Sequence, residues 1–539
     1  MRWVALAVTI AIAAIPCWPQ ATRSVPTGTL ATERLGEVKF PTSCSSSVQD
    51  TMAKGLALLH SFQYDEAEKE FTDAARGDSL CALAYWGKAM ALYQQLWNFP
   101  DARTLAAGQQ DVEQAQKLGT KDEREREYID AAAAFYNHAQ LSPTARAGAY
   151  SVAMKKLYGD HPEDSEAGEL YALSLVSLAQ LGIQDRANRT KAIAILDPIF
   201  AKYPNSPGAA HYLIHATDVS ELAPQGLAAA RVYAKIAPDS AHALHMPSHI
   251  FRRLGLWQQV IDSNLASAAA AAKATEEHRG DASYQFHAMD FLDYAYLQSG
   301  QEAKARRLEA ELKNVPQGGE SNIIEEQNEF AARNAMELHR WQEAAMLEIP
   351  KERFEWQDYT YWTRAIGAAR GGDVDGARAA VQKLTEIDRL RVARQKQAGA
   401  APSGESIDLS EAEAWLAYAQ GKADDAVARL RSAAEREDAR DAEPFAMPAR
   451  EMLGDLLALA RRPSEALAEY KAVLKMYPNR FDALYGAARA ADSLGDRRTA
   501  ADFYAKLISV CAPGADRPEL QTARQYPAAN RNGSGMLLK

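Results

Sequence analysis

Several common signatures are missing from this sequence of 539 residues. It has no glycine-rich phosphate loop after a strand, no serine nucleophile elbow and no H-E-x-x-H motif, so the best-known nucleotide, hydrolase and metalloprotease sites are not indicated. The formal net charge is -10, which argues against nucleic acid as a partner. Aromatic residues make up only 8%, alanine is abundant and strand-like alternation is scarce. This composition favours an all-helical protein.

An apolar run stands at the N-terminus, where Met1 to Ile15 contain a single positive charge at Arg2. The run has the length of a signal-peptide core and is short for a membrane span. Cys17 follows Pro16, which fits a lipoprotein cleavage site poorly. Cleavage near Ala21 would leave a mature chain with no membrane-spanning segment. The sequence therefore predicts export, to a bacterial periplasm or out of the cell.

Cysteine is rare, with only four residues in the chain. Three would remain after cleavage: Cys44, Cys81 and Cys511. Cys44 precedes the first helical repeat and Cys81 opens the next helix pair, so a bridge between them is predicted in an oxidising compartment. The alternative is two buried thiols. Cys511 is then left over and is expected to be a free, buried thiol.

Histidine is concentrated in one stretch, because Asn205 to Gln298 holds seven of the chain's 11 histidines. Two pairs share one spacing, since His211 precedes His245 by the same interval that separates His215 from His249. Spacings of three and four residues place side chains on one face of a helix. The sequence therefore predicts a histidine cluster on one wall of stacked helices. Its patterned members are His211, His215, His242, His245, His249 and His287.

The same interval appears near the C-terminus, where it separates Ala466 from Ala500 and Tyr470 from Tyr504. It corresponds to one repeat of about 34 residues in the tetratricopeptide repeat superfamily. With these alanine and aromatic pairs, turn glycines such as Gly255 and the closing prolines, the chain resembles that superfamily over roughly residues 41–510. The resemblance implies an all-α, right-handed superhelical solenoid of helix-turn-helix repeats.

More narrowly, the chain resembles a group of exported bacterial repeat proteins for which no activity is established. Short segments carry this second resemblance: Leu59-His60-Ser61-Phe62, Ala84-Tyr85-Trp86-Gly87, His211-Tyr212-Leu213-Ile214-His215, His245-Met246-Pro247-Ser248-His249-Ile250-Phe251 and His287-Ala288-Met289-Asp290. The resulting organisation is a signal peptide (1–21), a flexible lead (22–40), an N-terminal array (41–299) with the histidine cluster at 205–298, middle repeats (300–398), a loop (399–404), C-terminal repeats (405–512) and a disordered tail (513–539).

The resemblance to the superfamily also implies which helix positions line the concave groove. With repeats starting at Pro207, Ala241 and Phe286, the groove receives all six patterned histidines. Pro247 departs from the family pattern, since a proline inside a helix removes a backbone hydrogen bond and kinks the chain. Either the helix begins at Pro247 or it bends there. The other polar residues expected in the groove are Asp218, Arg252, Asp290 and Tyr294.

Neutral imidazole is the commonest metal ligand in proteins, and two histidines four residues apart on a helix can reach one ion. His211, His215, His245 and His249 would offer four nitrogens from adjacent helices, with His287 as a further ligand. Supporting or ligand-binding roles are then expected for His242, Asp218, Arg252, Asp290 and Tyr294. Such a set suits one ion of zinc, copper, iron, nickel or manganese. A metal-free binding or catalytic cluster, and simple packing, remain open alternatives.

The sequence therefore predicts two alternative functions. The first is an exported scaffold that binds a peptide, a partner protein or a small molecule in its groove and needs no metal. The second is a metal-binding protein, or a metal-dependent enzyme of unknown substrate, centred on the histidines. Whether the chain is an enzyme is left open. The concentration of histidines over two or three repeats favours metal, because a peptide groove would spread its polar residues over many repeats.

Overall fold

The computed structural model describes residues 33–96, 99–279, 282–315, 323–350, 357–397, 405–441 and 446–526. The predicted signal peptide and the predicted loop at 399–404 lie outside these ranges. Within the described residues the chain is an all-α helical-repeat solenoid, preceded by a short 3-10 helix at Ser46–Val48. Its helices are α1 Gln49–His60, α2 Tyr64–Gly77, α3 Ala82–Tyr93, α4 Ala102–Leu118, α5 Glu123–Tyr136, α6 Pro143–Asp160, α7 Ser165–Gln180, α8 Asp185–Lys202, α9 Pro207–Thr217, α10 Ala223–Ile236, α11 Ala241–His245, α12 Pro247–Arg253, α13 Trp257–Glu276, α14 Ser283–Gln298, α15 Glu302–Leu312, α16 Ile323–Glu337, α17 Trp341–Ala345, α18 Asp358–Gly371, α19 Val374–Gln397, α20 Ile407–Ala419, α21 Ala423–Asp438, α22 Ala449–Leu459, α23 Pro463–Met476, α24 Phe481–Ser493, α25 Arg497–Val510 and α26 Glu519–Gln525.

The seam between paired helices is built from small and aromatic side chains, as the repeat pattern predicts. Ala466 and Tyr470 are 0% and 2% exposed on α23. The Tyr470 ring fits because two glycines face it: a Cβ at Gly454 or Gly486 would lie 2.8 or 2.4 Å from the ring. A close approach of this kind leaves no room for a side chain. The aromatic ring and the glycines therefore fix the spacing between successive helices.

Helix starts recur with the repeat period in the histidine repeats. The Ser206 hydroxyl accepts a hydrogen bond from Ala209 N (3.1 Å), and the Ser240 hydroxyl accepts one from Ala243 N (3.2 Å). A serine at this position satisfies a backbone N–H that the first helical turn leaves unpaired. The two caps hold α9 and α11 in equivalent positions, which sets the histidines of the two repeats side by side.

Pro247 divides the second histidine helix into α11 and α12. Met246 keeps a helical backbone (φ -52°, ψ -36°) and donates to the His242 carbonyl (2.9 Å), so the chain passes from α11 to α12 through helical dihedrals. Pro247 is the first residue of α12, where its missing N–H costs least. Of the two alternatives that the sequence leaves open, the structure shows the first, with a helix that begins at Pro247.

The lead and the tail are more ordered than the sequence predicts. In the lead, Leu35 and Phe40 are each 5% exposed, and Glu37 N donates to the Asn205 carbonyl at 2.9 Å. In the tail, Arg517 is 2% exposed and donates to Asp482 at 2.9 Å, while Leu520 packs on the C-terminal core. A few apolar and charged anchors hold these segments despite their polar composition. Residues 22–32 and 527–539 lie outside the described ranges.

The C-terminal repeats fold back onto the histidine repeats, which a linear array does not predict. Trp257 Nε1 donates to the Asn479 carbonyl (2.9 Å), and Asn479 Nδ2 donates to the Gly255 carbonyl (3.0 Å). Gly255 has a φ of +63°, and a Cβ there would lie 2.0 Å from the Pro478 carbonyl oxygen. Only glycine meets both demands. The junction therefore depends on one turn glycine of the repeat pattern.

Cys44 and Cys81 are joined by a disulfide with an S–S distance of 1.99 Å. Cys511 is bridged to neither of these cysteines and is partly buried, and burial raises the pKa of its thiol to about 12. Across the described residues, the structure contains no helix with the length and apolar character needed to cross a bilayer.

Candidate metal centre

The six patterned histidines form two groups of three. The inner trio consists of His211 and His215 on α9 and His242 on α11, and each ring brings one nitrogen within 4.8 Å of the others. The outer trio consists of His245, His249 and His287, from α11, α12 and α14, and meets the same limit. The sequence instead groups His211 and His215 with His245 and His249, and gives His242 a supporting role. The structure places His242 among the inner rings.

The inner trio is enclosed by protein. His211, His242 and His215 are 0%, 3% and 8% exposed. His211 Nδ1 donates to the His60 carbonyl oxygen at 2.6 Å, and its Nε2 lies 3.2 Å from His242 Nε2. His215 Nε2 is buried and meets no hydrogen-bond partner among the described residues. The inner rings thus bring nitrogen atoms close to one another, and no described residue forms a hydrogen bond with His215 Nε2.

Phe62 forms the apolar floor of the inner trio. Its ring centroid lies 4.4 Å from that of His211 and 5.5 Å from those of His215 and His242. The residue sits in the turn after α1 with a φ of +55°, a position at which other repeats carry glycine, such as Gly255. A bulky residue in this region costs roughly 1–3 kcal/mol. The surrounding packing holds Phe62 there, and the ring closes one side of the trio.

The outer trio has better defined hydrogen-bond partners. His245 Nδ1 lies 2.7 Å from Asn264 Oδ1, and Asn264 Nδ2 donates to the Val260 carbonyl, which fixes the orientation of the amide. His249 Nδ1 lies 2.9 Å from Asp218 Oδ2. Both partners are acceptors, so both Nδ1 atoms carry the proton. When both rings are neutral, the two Nε2 atoms therefore face each other as lone pairs, 3.0 Å apart.

His287 completes the outer trio from the open side. Its ring centroid lies 4.4 Å from that of His245, and its side chain is exposed to solvent, whereas His249 is half-buried. The outer trio is therefore open to solvent through His287, in contrast to the inner one. A bound ion here would have room for a further ligand.

Burial keeps the enclosed rings neutral. Desolvation, followed by the neighbouring rings, lowers the pKa of His215, His242 and His245 well below the ordinary value of histidine. Desolvation likewise lowers the pKa of His211 to about 3. Neutral imidazole is the form that binds metal, so these rings are in the ligand state near neutral pH.

Asp218 links the outer trio to the C-terminal repeats. Burial opposes its ionisation, but Arg253 and His249 outweigh that effect and hold the pKa of the carboxyl well below its usual range. Arg253 Nε donates to Asp218 Oδ1 at 2.9 Å. Arg253 also lies 3.6 Å from Asp441, whose carboxylate accepts from the hydroxyl of Ser220. Asp218 thus has the position predicted for a group that orients a ligand histidine.

The remaining predicted groove residues have other partners. The Arg252 guanidinium lies over the Phe291 and Tyr294 rings, at 4.8 and 4.2 Å. The Asp290 carboxylate is paired with Arg333. The Tyr294 hydroxyl accepts from Arg480 Nη1 at 2.7 Å and is held in a buried ion network. The Tyr294 hydroxyl, predicted to support the metal or bind a ligand, is thus engaged by a residue 186 positions away.

Sequence reasoning missed a second acidic and histidine group beside the inner trio. His60, which the sequence treats as structural, lies 2.7 Å from Glu166 Oε2 and 3.7 Å from Glu169 Oε2. Burial, followed by Glu166, raises the pKa of Glu169 well above its usual value. The two glutamates are three residues apart on α7, which places them on one face. Sequence reasoning also missed Asn264, although a polar residue on the buried face of α13 is a sign of a polar partner nearby.

The fold and the two trios define a helical-repeat protein with clustered histidines. The tetratricopeptide repeat family model matches residues 52–116, 411–479 and 452–516. The chain accordingly contains tetratricopeptide repeats in these stretches, as their period indicates. Repeats of this family are typical of scaffolds that bind proteins or peptides. No curated protein is similar to the chain in sequence.

Solved structures with a distant likeness include a tetratricopeptide repeat protein from Parabacteroides merdae, 12% identical, which covers 53% of this chain and 99% of its own with a TM-score of 0.30. A human IFIT1 dimer with PPP-AAAA is 11% identical and covers 85% of this chain and 95% of its own, with a TM-score of 0.36. Scores this low support no inference about function, and the family assignment rests on the repeats themselves.

Proposed function

We propose that this chain is an exported tetratricopeptide repeat protein that binds a transition-metal ion at the outer trio of its groove. His245, His249 and His287 would hold the ion, and Asp218 and Asn264 would orient two of these rings. Zinc, copper, iron, nickel and manganese are the metals that suit such a set. The ion would face the groove, where a ligand or partner could reach it.

The observation that carries this proposal is the pair of opposed lone pairs on His245 and His249. Their Nε2 atoms lie 3.0 Å apart, while both Nδ1 protons are committed to Asn264 and Asp218. Two neutral rings in this arrangement repel each other unless a cation, either a metal ion or a shared proton, lies between them. Two nitrogens bound to one tetrahedral zinc at about 2.0–2.1 Å are separated by about 3.3 Å. The spacing of the two rings is close to that value.

The open side supports a reactive or ligand-binding role over a purely structural one. Three protein ligands with a fourth position left for water or substrate are typical of catalytic sites, whereas structural zinc sites are closed by four protein ligands. His287 is exposed, and His249 is half-buried. When bound, the metal would supply Lewis-acid or bound-water chemistry. The groove residues would bind and orient the other reactant.

Export is supported by the apolar N-terminal run and by the bridge between Cys44 and Cys81. Disulfides form and persist in oxidising compartments such as the bacterial periplasm. The export part of the proposal is tested by fractionating cells that produce the full chain. Mature protein beginning near Thr22 should be found outside the cytoplasm, and full-length protein in the cytoplasm alone would contradict it.

The metal is tested by elemental analysis of the mature chain, purified without chelator and without a histidine tag. We expect at least one equivalent of transition metal, reduced by one in a His249→Ala, His287→Ala double variant. His138→Ala removes an exposed histidine of α5's C-terminal loop and serves as the matched control. Metal-free protein after incubation with zinc, copper, iron, nickel and manganese would reject the proposal. An unchanged metal content in the double variant would also reject the outer site.

The alternative is a scaffold that binds peptides or proteins in the groove without metal. The repeats themselves favour this function, and the exposed His287 beside the stacked Arg252 offers a surface for polar and aromatic contacts. Metal-free protein in the experiment above, together with peptide binding that a chelator leaves unchanged, would establish this alternative.

A further inference from the structure

We infer that the inner trio, His211, His215 and His242, is a second metal site, so that the groove wall holds two ions in unlike surroundings. The inference extends the proposed function and rests on it. The sequence predicts one ion shared among the histidines of adjacent helices. The structure instead gathers them into two separate groups, each with three ring nitrogens within 4.8 Å of one another.

The first argument comes from the unsatisfied nitrogen of the inner trio. His211 donates through Nδ1 to the His60 carbonyl, so its Nε2 carries a lone pair, and this atom lies 3.2 Å from His242 Nε2. His215 Nε2 has no hydrogen-bond partner within the described part of the chain, although the residue is only 8% exposed. A buried polar atom without a partner is costly, and such atoms in a native structure call for an explanation. A cation bound by all three rings supplies one.

The second argument is that one ion cannot serve both trios. A metal about 2.0–2.1 Å from each nitrogen requires ligand atoms within about 4.2 Å of each other. The short Nε2 contacts fall within each trio, at 3.2 Å for His211 with His242 and 3.0 Å for His245 with His249. The six histidines do not form one such set; they fall into two sets, each with three ring nitrogens within 4.8 Å of one another. Two ions at neighbouring positions fit this arrangement.

The two sites would differ in access and in the groups behind the ligands. The inner rings are enclosed, with the Phe62 ring as a floor and a backbone carbonyl behind His211. The outer rings have a carboxylate behind His249 and open toward the groove. An enclosed site without a solvent-facing position retains its ion, whereas the outer site exchanges ligands. The inner ion should therefore leave more slowly on treatment with chelator.

The experiment compares copper and zinc loading of the metal-free mature chain and of two variants. His215→Leu removes one inner ligand and replaces a buried, unpartnered nitrogen with an apolar group of similar size. The His249→Ala, His287→Ala variant removes two outer ligands. We expect two equivalents of metal in the unmodified protein, one in each variant and none in the triple variant. The chelator should remove the single ion of His215→Leu faster than that of the outer double variant.

Two further readouts separate a metal site from a packing role. Metal-free His215→Leu should melt no lower than the metal-free parent, because the substitution removes an unsatisfied atom; a clear drop would point to packing. With two Cu²⁺ ions bound, electron paramagnetic resonance should show coupling between neighbouring ions, and each variant should restore the signal of an isolated ion. Uncoupled spectra with two bound ions would place the second ion elsewhere.

The outcomes distinguish this inference from the proposed function. One equivalent that His215→Leu retains and the outer variant loses would overturn the second site and leave the outer one standing. One equivalent lost only from His215→Leu would overturn the outer site. Metal-free parent protein would overturn both.

Discussion

Two buried polar regions of this protein differ in how their hydrogen bonds are completed. Around Arg480, which is 0% exposed, Nε and Nη2 donate to Glu451 at 2.8 and 3.0 Å, Nη2 donates to Glu337 at 2.6 Å and Nη1 donates to Tyr294. Charges of opposite sign meet, and each nitrogen of the guanidinium has an acceptor. In the histidine trios, like groups face one another, and His215 Nε2 is left without a partner in the described chain.

The difference separates polar groups that hold a fold together from polar groups kept for a ligand. A fully bonded network can specify a single arrangement, and breaking it leaves buried charge behind. An incomplete cluster costs stability in the free protein, and that cost is recovered when a ligand completes it. Both regions lie on the same repeats, since Tyr294 of α14 belongs to the Arg480 network and His287 of α14 to the outer trio. The network therefore supports the scaffold on which the trios stand.

The largest expected effect is on the network. Arg480→Met should lower the free energy of unfolding by about 3–5 kcal/mol, because Glu451 and Glu337 would remain buried without their counter-charge. Urea unfolding followed by circular dichroism measures the change. The folded fraction should still bind metal. If the variant matched the parent in stability, the Arg480 network would not be what stabilises the fold.

The next effect is on pH dependence in the metal-free protein. The pKa of His211 is about 3 in the fold and about 6.5 when unfolded, so the unfolded chain binds more protons between those values. Stability is then complete above pH 6.5 and falls as the pH drops toward 3, by about 2 kcal/mol at pH 5 for His211 alone.

Unfolding in urea at pH 7.5 and at pH 5 checks this sign and size, with His211→Phe as the comparison. The variant should lose less stability on acidification than the parent. Equal losses in the two proteins would show that His211 is not held neutral by burial.

A smaller effect concerns the carboxylate behind the outer trio. Asp218→Asn should weaken metal binding about 10–100-fold, because His249 loses a charged acceptor at Nδ1. Competition with a chelator of known affinity measures the change. Asp441→Asn is the matched control, since Asp441 also lies beside Arg253 but does not contact His249. Equal losses of metal affinity in both variants would assign the effect to the anchoring of Arg253 and not to the orientation of His249.

The smallest effect is expected at the surface. Arg186 and Glu221 form an ion pair at 2.6 Å, but the two side chains are 51% and 75% exposed. Arg186→Ala should change the free energy of unfolding by less than about 1 kcal/mol, because solvent screens the pair. Parallel urea unfolding with Arg480→Met provides the contrast. A loss of unfolding free energy as large as that of Arg480→Met would show that burial does not explain why the two ion pairs differ in strength.

The repeat architecture could be predicted from the sequence because the same residue types recur at the repeat interval. Serine caps recur in the two histidine repeats and alanine seams in the C-terminal repeats, and His211 lies beside the following repeat, as expected. The division into two trios could not be predicted. The dividing line runs between His242 and His245, which share α11: His242 meets His211 of the preceding repeat, whereas His245 meets His249. Sequence spacing does not state which ring of a neighbouring helix each histidine meets.

Contacts between distant repeats were equally beyond a sequence-based prediction. Tyr294 occupies a groove position by register, yet its hydroxyl is taken by Arg480. His60 meets Glu166 from a repeat more than 100 residues away. Neither partner shares a period or a motif with the residue that it contacts. Periodicity identifies which face of a helix is buried, and the pairing of faces follows from the path of the whole solenoid.

The junction at Gly255 has a consequence for how the protein is made. A solenoid held only by neighbouring repeats can begin folding at any repeat. Here the Trp257 and Asn479 contact joins positions 222 residues apart, so it forms only after most of the chain has left the ribosome. The histidine helices are synthesised long before the segment that fastens them. A chain cut short before Pro478 would carry every histidine of both trios and yet lack the clasp that holds their repeats in place.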